Sequence, residues 1–456
     1  MFVAREKELG VLETQFASRS RTAVLVYGKR RVGKSTLISQ AAKGFDGMVV
    51  EHVCVQSSFA GNLELLCRSI GKSIGMPTLR FGHLYDLFDF LKSRRERILL
   101  VVDEYQYFKE SRRGAEVDSY FQAVIDSLPE HVKLVLCGSY VTVMRELLDE
   151  GNPLFGRFSA IVHLEEFDYY DAARFFPRES PFKKVAFYGL FGGSPFVLSQ
   201  LDYDLTPEQN MVELLLPETS VLRTHVESIM LKEVQRAFDV RILEALGNGR
   251  KRYSEIQAVV GERSGGLLDK QLKNLMNVEA VRKVSPVNRR TDKKKQFYEI
   301  SDNLMRLYFA YVFGNAAPLA NLGEQAFFDA EVAPSISQFA DRRLEDVALQ
   351  YFRRRARAGA LPGVRDFGSY WYDDPQERTS GEFDCVLARK DSLDFFECKR
   401  FDRAMTRAEC RAEERQVRAI PGASIGAIGF VCTGGFDFES ADYQLVSGDD
   451  LFTNEL

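Results

Sequence analysis

Val24-Leu25-Val26-Tyr27-Gly28-Lys29-Arg30-Arg31-Val32-Gly33-Lys34-Ser35-Thr36 is the stretch on which the reading turns. An apolar, β-branched run passes into a loop of the form G-x-x-x-x-G-K-[ST], then into a helix-forming segment, Thr36 to Ala42. The spacing has a chemical meaning. Backbone N–H groups from Gly28, Lys29, Arg30, Arg31, Val32 and Gly33 can wrap a triphosphate, and the helix N-terminus adds the positive end of its dipole. Lys34 would reach the β and γ phosphates, the Ser35 hydroxyl would ligate Mg²⁺, and Gly33 allows close backbone approach. Thr36 completes the loop side of the helix.

Working outward, a partner for the magnesium is expected on a second strand. Ile98-Leu99-Leu100-Val101-Val102-Asp103-Glu104 is an apolar run ending in two acids. Asp103 would hold the metal through water, and Glu104 would polarise the attacking water as general base. The next apolar run, Lys133 to Cys137, leads to Gly138-Ser139. Ser139 is a candidate sensor of the γ-phosphate and equally a helix N-cap. Arg157, in Pro153-Leu154-Phe155-Gly156-Arg157, is a candidate for neutralising transition-state charge, or a plain surface arginine.

Five short apolar runs (22–27, 48–53, 98–102, 132–137 and 161–164) alternate with helix-length segments. That alternation predicts an α/β fold with a parallel sheet covered on both faces. The whole chain has 456 residues, 45% hydrophobic and 28% charged, enough for about three domains with real cores. Lys+Arg 61 against Asp+Glu 65 gives a net charge of -4, which excludes a uniformly basic coat but not local basic patches. No run of 18 apolar residues is present, so no membrane span is expected. The charged start, Met1 to Glu8, does not read as a signal peptide. Seven cysteines without a Cys-x-x-Cys pair read as reduced thiols, so a cytoplasmic location is expected.

Taken together, these residues resemble the archaeal-type ATPases of the AAA+/STAND P-loop group. The resemblance is carried by Phe2-Val3-Ala4-Arg5-Glu6-Lys7-Glu8-Leu9 with Leu12, the loop at 28–35, Asp103-Glu104 and Gly138-Ser139. Pro153 to Arg157 and Gly192-Gly193-Ser194-Pro195-Phe196 continue the series in order. The resemblance implies ATP and Mg²⁺ as cofactors, with Arg5 near the adenine end. It also implies a P-loop domain over 1–200 and a helical lid or linker over 201–238. A winged helix over 239–315 and a restriction-endonuclease-like α/β domain over 330–456 would follow. The absence of an Asn-Lys-x-Asp signature independently disfavours guanine.

The middle block reads as a winged helix on its own pattern. Three helical segments (from Ile242, Tyr253 and Leu267) precede two strand-like runs, Ala280 to Val284 and Gln296 to Ile300. Between them, Asn288-Arg289-Arg290-Thr291-Asp292-Lys293-Lys294-Lys295 holds five cations in eight residues. Such a wing can grip phosphates, or it can be a solvated turn on a packing module. After a looser stretch, Gly314 to Pro334, a helix is expected from about Ser337 to Arg357. Strands near 382–388 and 393–398, a helix near 402–419 and a strand near 425–432 complete the chain. Asp384, with Glu397 and Lys399 on one face of the next strand, resembles the PD-(D/E)-x-K nuclease core. Glu345 and Gln416 fit its less constant positions. The resemblance implies Asp384 and Glu397 as metal ligands and Lys399 as a charge stabiliser. Arg353-Arg354-Arg355-Ala356-Arg357 reads as a phosphate-binding surface or a solvated helix end.

Two functional readings follow. One is an ATP-hydrolysing protein whose nucleotide state controls a winged helix and a nuclease-like domain on DNA, with homo-oligomerisation open. The other is a nucleotide-gated switch or scaffold whose inactive nuclease-like domain binds a protein partner.

Overall fold

The computed structural model describes residues 2–109, 114–229, 239–261, 265–374 and 379–453. The chain forms two compact units, Met1–Glu166 and Phe167–Leu456.

In the first unit, five strands form a parallel sheet: β1 (Thr22–Tyr27), β2 (Met48–Val53), β3 (Ile98–Asp103), β4 (Val132–Gly138) and β5 (Ala160–His163). Their order is β2-β3-β4-β1-β5. β1 and β4 are buried along their whole length, as the continuous apolar runs require for a sheet covered on both sides. Alternation sorts the side chains. Ala23, Leu25, Leu100, Val102, Leu134 and Leu136 join one core with the helices Phe59–Ser73 and Leu84–Ser93. Val24, Val26, Leu99, Val101, Val135 and Cys137 join the other with Leu12 and Phe16 of helix Glu6–Ala17 and Leu37 and Ile38 of helix Lys34–Ala42. Because β4 lies between β1 and β3, the loops after all three open at one edge. The five predicted strands and the α/β class are therefore present.

The second unit begins with short helices, including Pro181–Phe191 and Val221–Ile229. Residues 230–238, the end of the expected lid, lie outside the described residues. Next come the helices Arg241–Gly247, Tyr253–Val260 and Gly265–Asn277 around a three-stranded antiparallel sheet. Its strands are β6 (Lys251–Arg252), β7 (Val281–Val284) and β8 (Phe297–Ile300), in the order β6-β8-β7.

The stretch 314–334 is not loose. It holds the helices Ala316–Leu322 and Glu324–Phe327 and a π-helical turn, Phe328–Val332. Leu319, Phe327, Phe328 and Val332 are buried there, so packing outweighs the Gly, Pro and Asn that suggested a loop. The single helix expected from 337 to 357 is two, Ala333–Asp341 and Arg343–Arg357.

The last sheet is mixed, in the order β13-β12-β11-β10-β9. Its strands are β9 (Asp366–Asp374), β10 (Thr379–Ala388), β11 (Leu393–Lys399), β12 (Ile425–Cys432) and β13 (Gln444–Ser447). β9 and β13 were not anticipated. Leu344, Val347 and Phe352 of helix Arg343–Arg357 pack with Cys385, Leu387 and Phe396 on one face. Cys410 and Val417 of helix Arg407–Arg418 pack with Val386, Phe395 and Phe430 on the other.

Candidate functional site

At the C-terminal edge of the first sheet, the loop 28–33 leaves β1 and enters helix Lys34–Ala42. Gly28 and Gly33 have φ of 156° and 92°, and Arg31 adopts a left-handed φ of 65°. A Cβ at Gly28 would collide with the carbonyl oxygen of Leu164, so that glycine lets two chain segments touch. Val32 is buried in the core beneath the loop, and Thr36 is exposed on the first helical turn. The Lys34 ammonium is buried and donates to the carbonyls of Gly28 (2.9 Å) and Lys29 (2.8 Å), so it lies across the loop. Arg30 donates to the hydroxyls of Tyr107 (3.1 Å) and Tyr140 (3.4 Å), which follow β3 and β4. Burial works against the Arg30 charge, but the Tyr107 hydrogen bond and nearby charges hold it above its ordinary value. Arg5 has a left-handed backbone and donates to the carbonyl of Glu165, just past β5.

The two acids at the end of β3 meet the loop. Ser35 Oγ donates to Asp103 Oδ2 at 2.8 Å, and Asp103 Oδ1 accepts from the Glu104 N–H at 2.8 Å. Glu104 has a left-handed φ of 55°, a costly conformation that turns its side chain from the strand towards β4. There Ser139 Oγ donates to Glu104 Oε2 at 2.7 Å. Gln106 donates to the same carboxylate oxygen and to Ser139 Oγ (3.3 Å). Gln106 is fully buried, and no sequence signal pointed to it. Three strands thus supply a glycine-bearing loop at a helix N-terminus, a hydroxyl–carboxylate pair of the kind that can hold a divalent ion, and a second carboxylate fixed by two donors.

Arg157 corrects an expectation. Its guanidinium holds Asp126 at 3.2 Å, and Asp126 also pairs with Arg21 at 3.6 Å. Arg21 immediately precedes β1, whereas the loop follows it. Arg157 therefore sits at the opposite end of the sheet, about 20 Å of strand from the phosphate loop of its own chain.

The C-terminal residues meet partly as expected. The β10–β11 hairpin pairs Cys385 with Phe396 and Val386 with Phe395, so Asp384 falls next to Glu397 in register. Glu345 and Asp384 line one cavity. Asp384 is held by Arg250 from the middle block, which also pairs with Glu382 at 3.1 Å. Burial opposes the Arg250 charge, yet Asp384 and Glu382 hold it above its ordinary value. Lys399 bridges Glu397 (2.9 Å) and Glu413 (3.0 Å), and Gln416 donates to Glu413 at 3.1 Å. Burial pushes the Glu397 carboxyl up despite Lys399. Burial, then the charges of Asp384 and Asp346, push Glu345 up further. Asp384 and Glu397 were expected to share a metal ion. Instead each carries its own cation, and among the described residues no three acids, histidines or cysteines form a group able to hold one. Sequence reasoning missed Arg250, Glu382 and Glu413, whose roles depend on contacts far along the chain.

The run 353–357 is not one surface. Arg354 stacks on Tyr170 and pairs with Asp168 (3.3 Å), Arg355 lies over Tyr351, and Arg353 faces the cavity. In the basic turn, Arg290 forks onto Asp366 with two bonds of 2.7 Å, and Lys295 lies 3.7 Å from the Trp371 ring. Arg289, Lys293 and Lys294 are exposed.

The parallel sheet, with a G-x-x-x-x-G-K-S loop between β1 and its helix and two acids ending β3, defines the first unit as an α/β fold of the P-loop arrangement. Residues 2–201 match the family described as an ATPase domain predominantly from Archaea. Residues 308–412 match one described as archaeal and bacterial proteins of unknown function. The chain is 28% identical over 385 residues to an uncharacterised protein of Methanocaldococcus jannaschii, covering 82% of each. Among solved structures it is similar to a Walker-type ATPase of Pyrococcus abyssi. That likeness has 22% identity and a TM-score of 0.47, over 68% of this chain and 96% of that one. It is also similar to the ORC2 protein of Aeropyrum pernix, with 14% identity and a TM-score of 0.45, over 67% and 93%. No helix among the described residues is long and apolar enough to cross a membrane.

Proposed function

We propose that the protein binds and hydrolyses ATP at the loop 28–35. The observation that carries this reading is the convergence of Ser35 on Asp103 and of Ser139 and Gln106 on Glu104 at one sheet edge. The residues fit a magnesium-bound triphosphate. The Ser35 hydroxyl and Asp103 carboxylate already lie within bonding distance of each other, and Gly33 brings the backbone close. A bound Mg²⁺ would neutralise charge on the β and γ phosphates. Lys34 exchanges the carbonyls of Gly28 and Lys29 for phosphate oxygens. Glu104 accepts a proton from the attacking water, and Ser139 and Gln106 fix the carboxylate that does so. Arg5 borders the adenine end.

Lys34→Ala removes a charge-assisted contact and should weaken ATP binding by about 1.5–3 kcal/mol. Glu104→Gln should retain ATP but turn it over far more slowly. Calorimetric titration and phosphate release measure the two effects. Equal ATP affinity in Lys34→Ala, or wild-type turnover in Glu104→Gln, removes the assignment.

The middle block has the element order of a winged helix, and its exposed Arg289, Lys293 and Lys294 support contact with DNA phosphates. For the C-terminal domain, the nuclease-like reading rests on Asp384, Glu397, Lys399 and Glu345. Arg250 on Asp384 and the Lys399 bridge favour the second reading, a scaffold that binds a partner and cuts nothing.

A further inference from the structure

A cavity of about 650 Å³ lies within the second unit, between the middle block and helix Arg343–Arg357. Its walls carry seven arginines and one lysine against five carboxylates, a surplus of three positive charges, or two once Glu382 on Arg250 is counted. Three of the cations (Lys283, Arg342 and Arg353) have no carboxylate within ion-pair distance among the described residues. Deeper in, Arg306 is 2% exposed, and its Nη1 has no hydrogen-bond partner among the described residues; its nearest acid there, Asp346, is 3.8 Å away. Arg343 Nε is likewise buried without an acceptor. Burying donors this way is costly unless something accepts from them.

We propose that this cavity is an anion site for phosphoryl groups, either the phosphates of a nucleotide or the phosphodiester backbone of a single-stranded nucleic acid. Arginine dominates the lining, and its planar fork matches phosphate oxygens where a lysine offers only a point charge. Burial, then the like charge of Arg282, push the Arg353 guanidinium below its ordinary value against the pull of Asp346 and Asp366. The volume lies in the range of clefts that enclose a small ligand. The inference goes beyond ATP turnover at residues 28–35, and it draws on the nucleic-acid reading only for one of its two ligand sources.

The test uses the full chain as wild type, Lys34→Ala, the double variant Arg342→Gln/Arg353→Gln, and Arg355→Gln as a control on the same helix. Pyrophosphate, ADP and a labelled ten-nucleotide single strand are titrated against each. Wild type should show a second pyrophosphate site besides the one that Lys34→Ala weakens. The double variant should lose that second site by at least tenfold, while Arg355→Gln keeps it. Arg342 and Arg353 are exposed, so a retained melting temperature separates lost binding from lost folding. Tighter, salt-sensitive competition by the oligonucleotide identifies the backbone as the source, and tighter competition by ADP identifies a nucleotide; either supports the site. A single pyrophosphate site sensitive only to Lys34→Ala overturns the inference and leaves the ATPase reading intact. A single site sensitive only to the double variant does the reverse. Equal binding of a hexaglutamate peptide also overturns it, because phosphate chemistry would then not be what is read.

Discussion

Gln106 stands two residues past Glu104, fully buried, with its amide donating to both Glu104 and Ser139. Its removal should leave ATP affinity nearly unchanged and slow hydrolysis about 10- to 100-fold, the equivalent of one charge-assisted hydrogen bond in the transition state. Single-turnover phosphate release for Gln106→Ala measures this, and an unchanged rate would make the residue a packing element only. His52 is a different case. It is buried on β2, with Nδ1 sharing a hydrogen bond with Ser69 Oγ at 3.1 Å, and burial pushes its imidazole down to about 4. An unfolded histidine titrates near 6.5. The folded value is the depressed one, so His52 contributes fully above about pH 6.5 and its contribution is lost as pH falls towards 4, about 3 kcal/mol at most. Wild type should lose melting temperature between pH 7 and 4.5 more steeply than His52→Leu; parallel profiles would clear His52 of any part in acid sensitivity.

At the scale of elements, the basic turn between β7 and β8 shows how a charge run divides its labour. Arg290 and Lys295 are turned onto Asp366 and Trp371 of β9, while Arg289, Lys293 and Lys294 face water. If the turn grips DNA, replacing the three exposed cations by Ala should reduce the salt slope of binding by nearly three, at about 0.9 per phosphate contact. Replacing Arg290 and Lys295 should change stability instead, by about 0.2–1 kcal/mol for an exposed pair. Anisotropy titrations across salt concentrations, with thermal melts alongside, distinguish the two sets. Equal effects on the slope would mean the pairs to β9 open on binding. The turn was legible in the sequence as a cluster of charge; its split was not, because β9, the strand that takes two of the cations, gave no clear signal of its own.

At the scale of the second unit, Arg250 is one of several side chains that tie the middle block to the last sheet, and the most deeply placed among acids of β10. Arg250 reaches Asp384 and Glu382, and all three side chains are at least two-thirds buried. Arg250→Ala should leave two carboxylates facing each other without a cation and cost about 1–3 kcal/mol. Adding Asp384→Asn in that background should restore part of the loss, because it removes the uncompensated charge. Thermal unfolding of the single and double variants checks both. No rescue by the second change would mean that the arginine stabilises through its stem rather than its charge.

Local pattern was enough for the fold of the first unit. The strand–loop–helix at 24–42, the acids ending β3 and the serine after β4 each announce themselves within a few residues, because the G-x-x-x-x-G-K-[ST] loop and its neighbours are local patterns of fixed short spacing. The five apolar runs likewise carried the parallel sheet, since burial on both faces leaves little choice of residue. Only the tertiary structure decided the rest. Gln106 closes on Glu104 through a left-handed turn that no propensity predicts. Arg157 is drawn to Asp126 at the far end of the sheet, Arg250 reaches Asp384 across 134 positions, and Lys399 is shared between Glu397 and Glu413. A charged side chain announces its charge in sequence but not its partner, which is settled by whichever opposite charge the packed elements bring within a few ångströms.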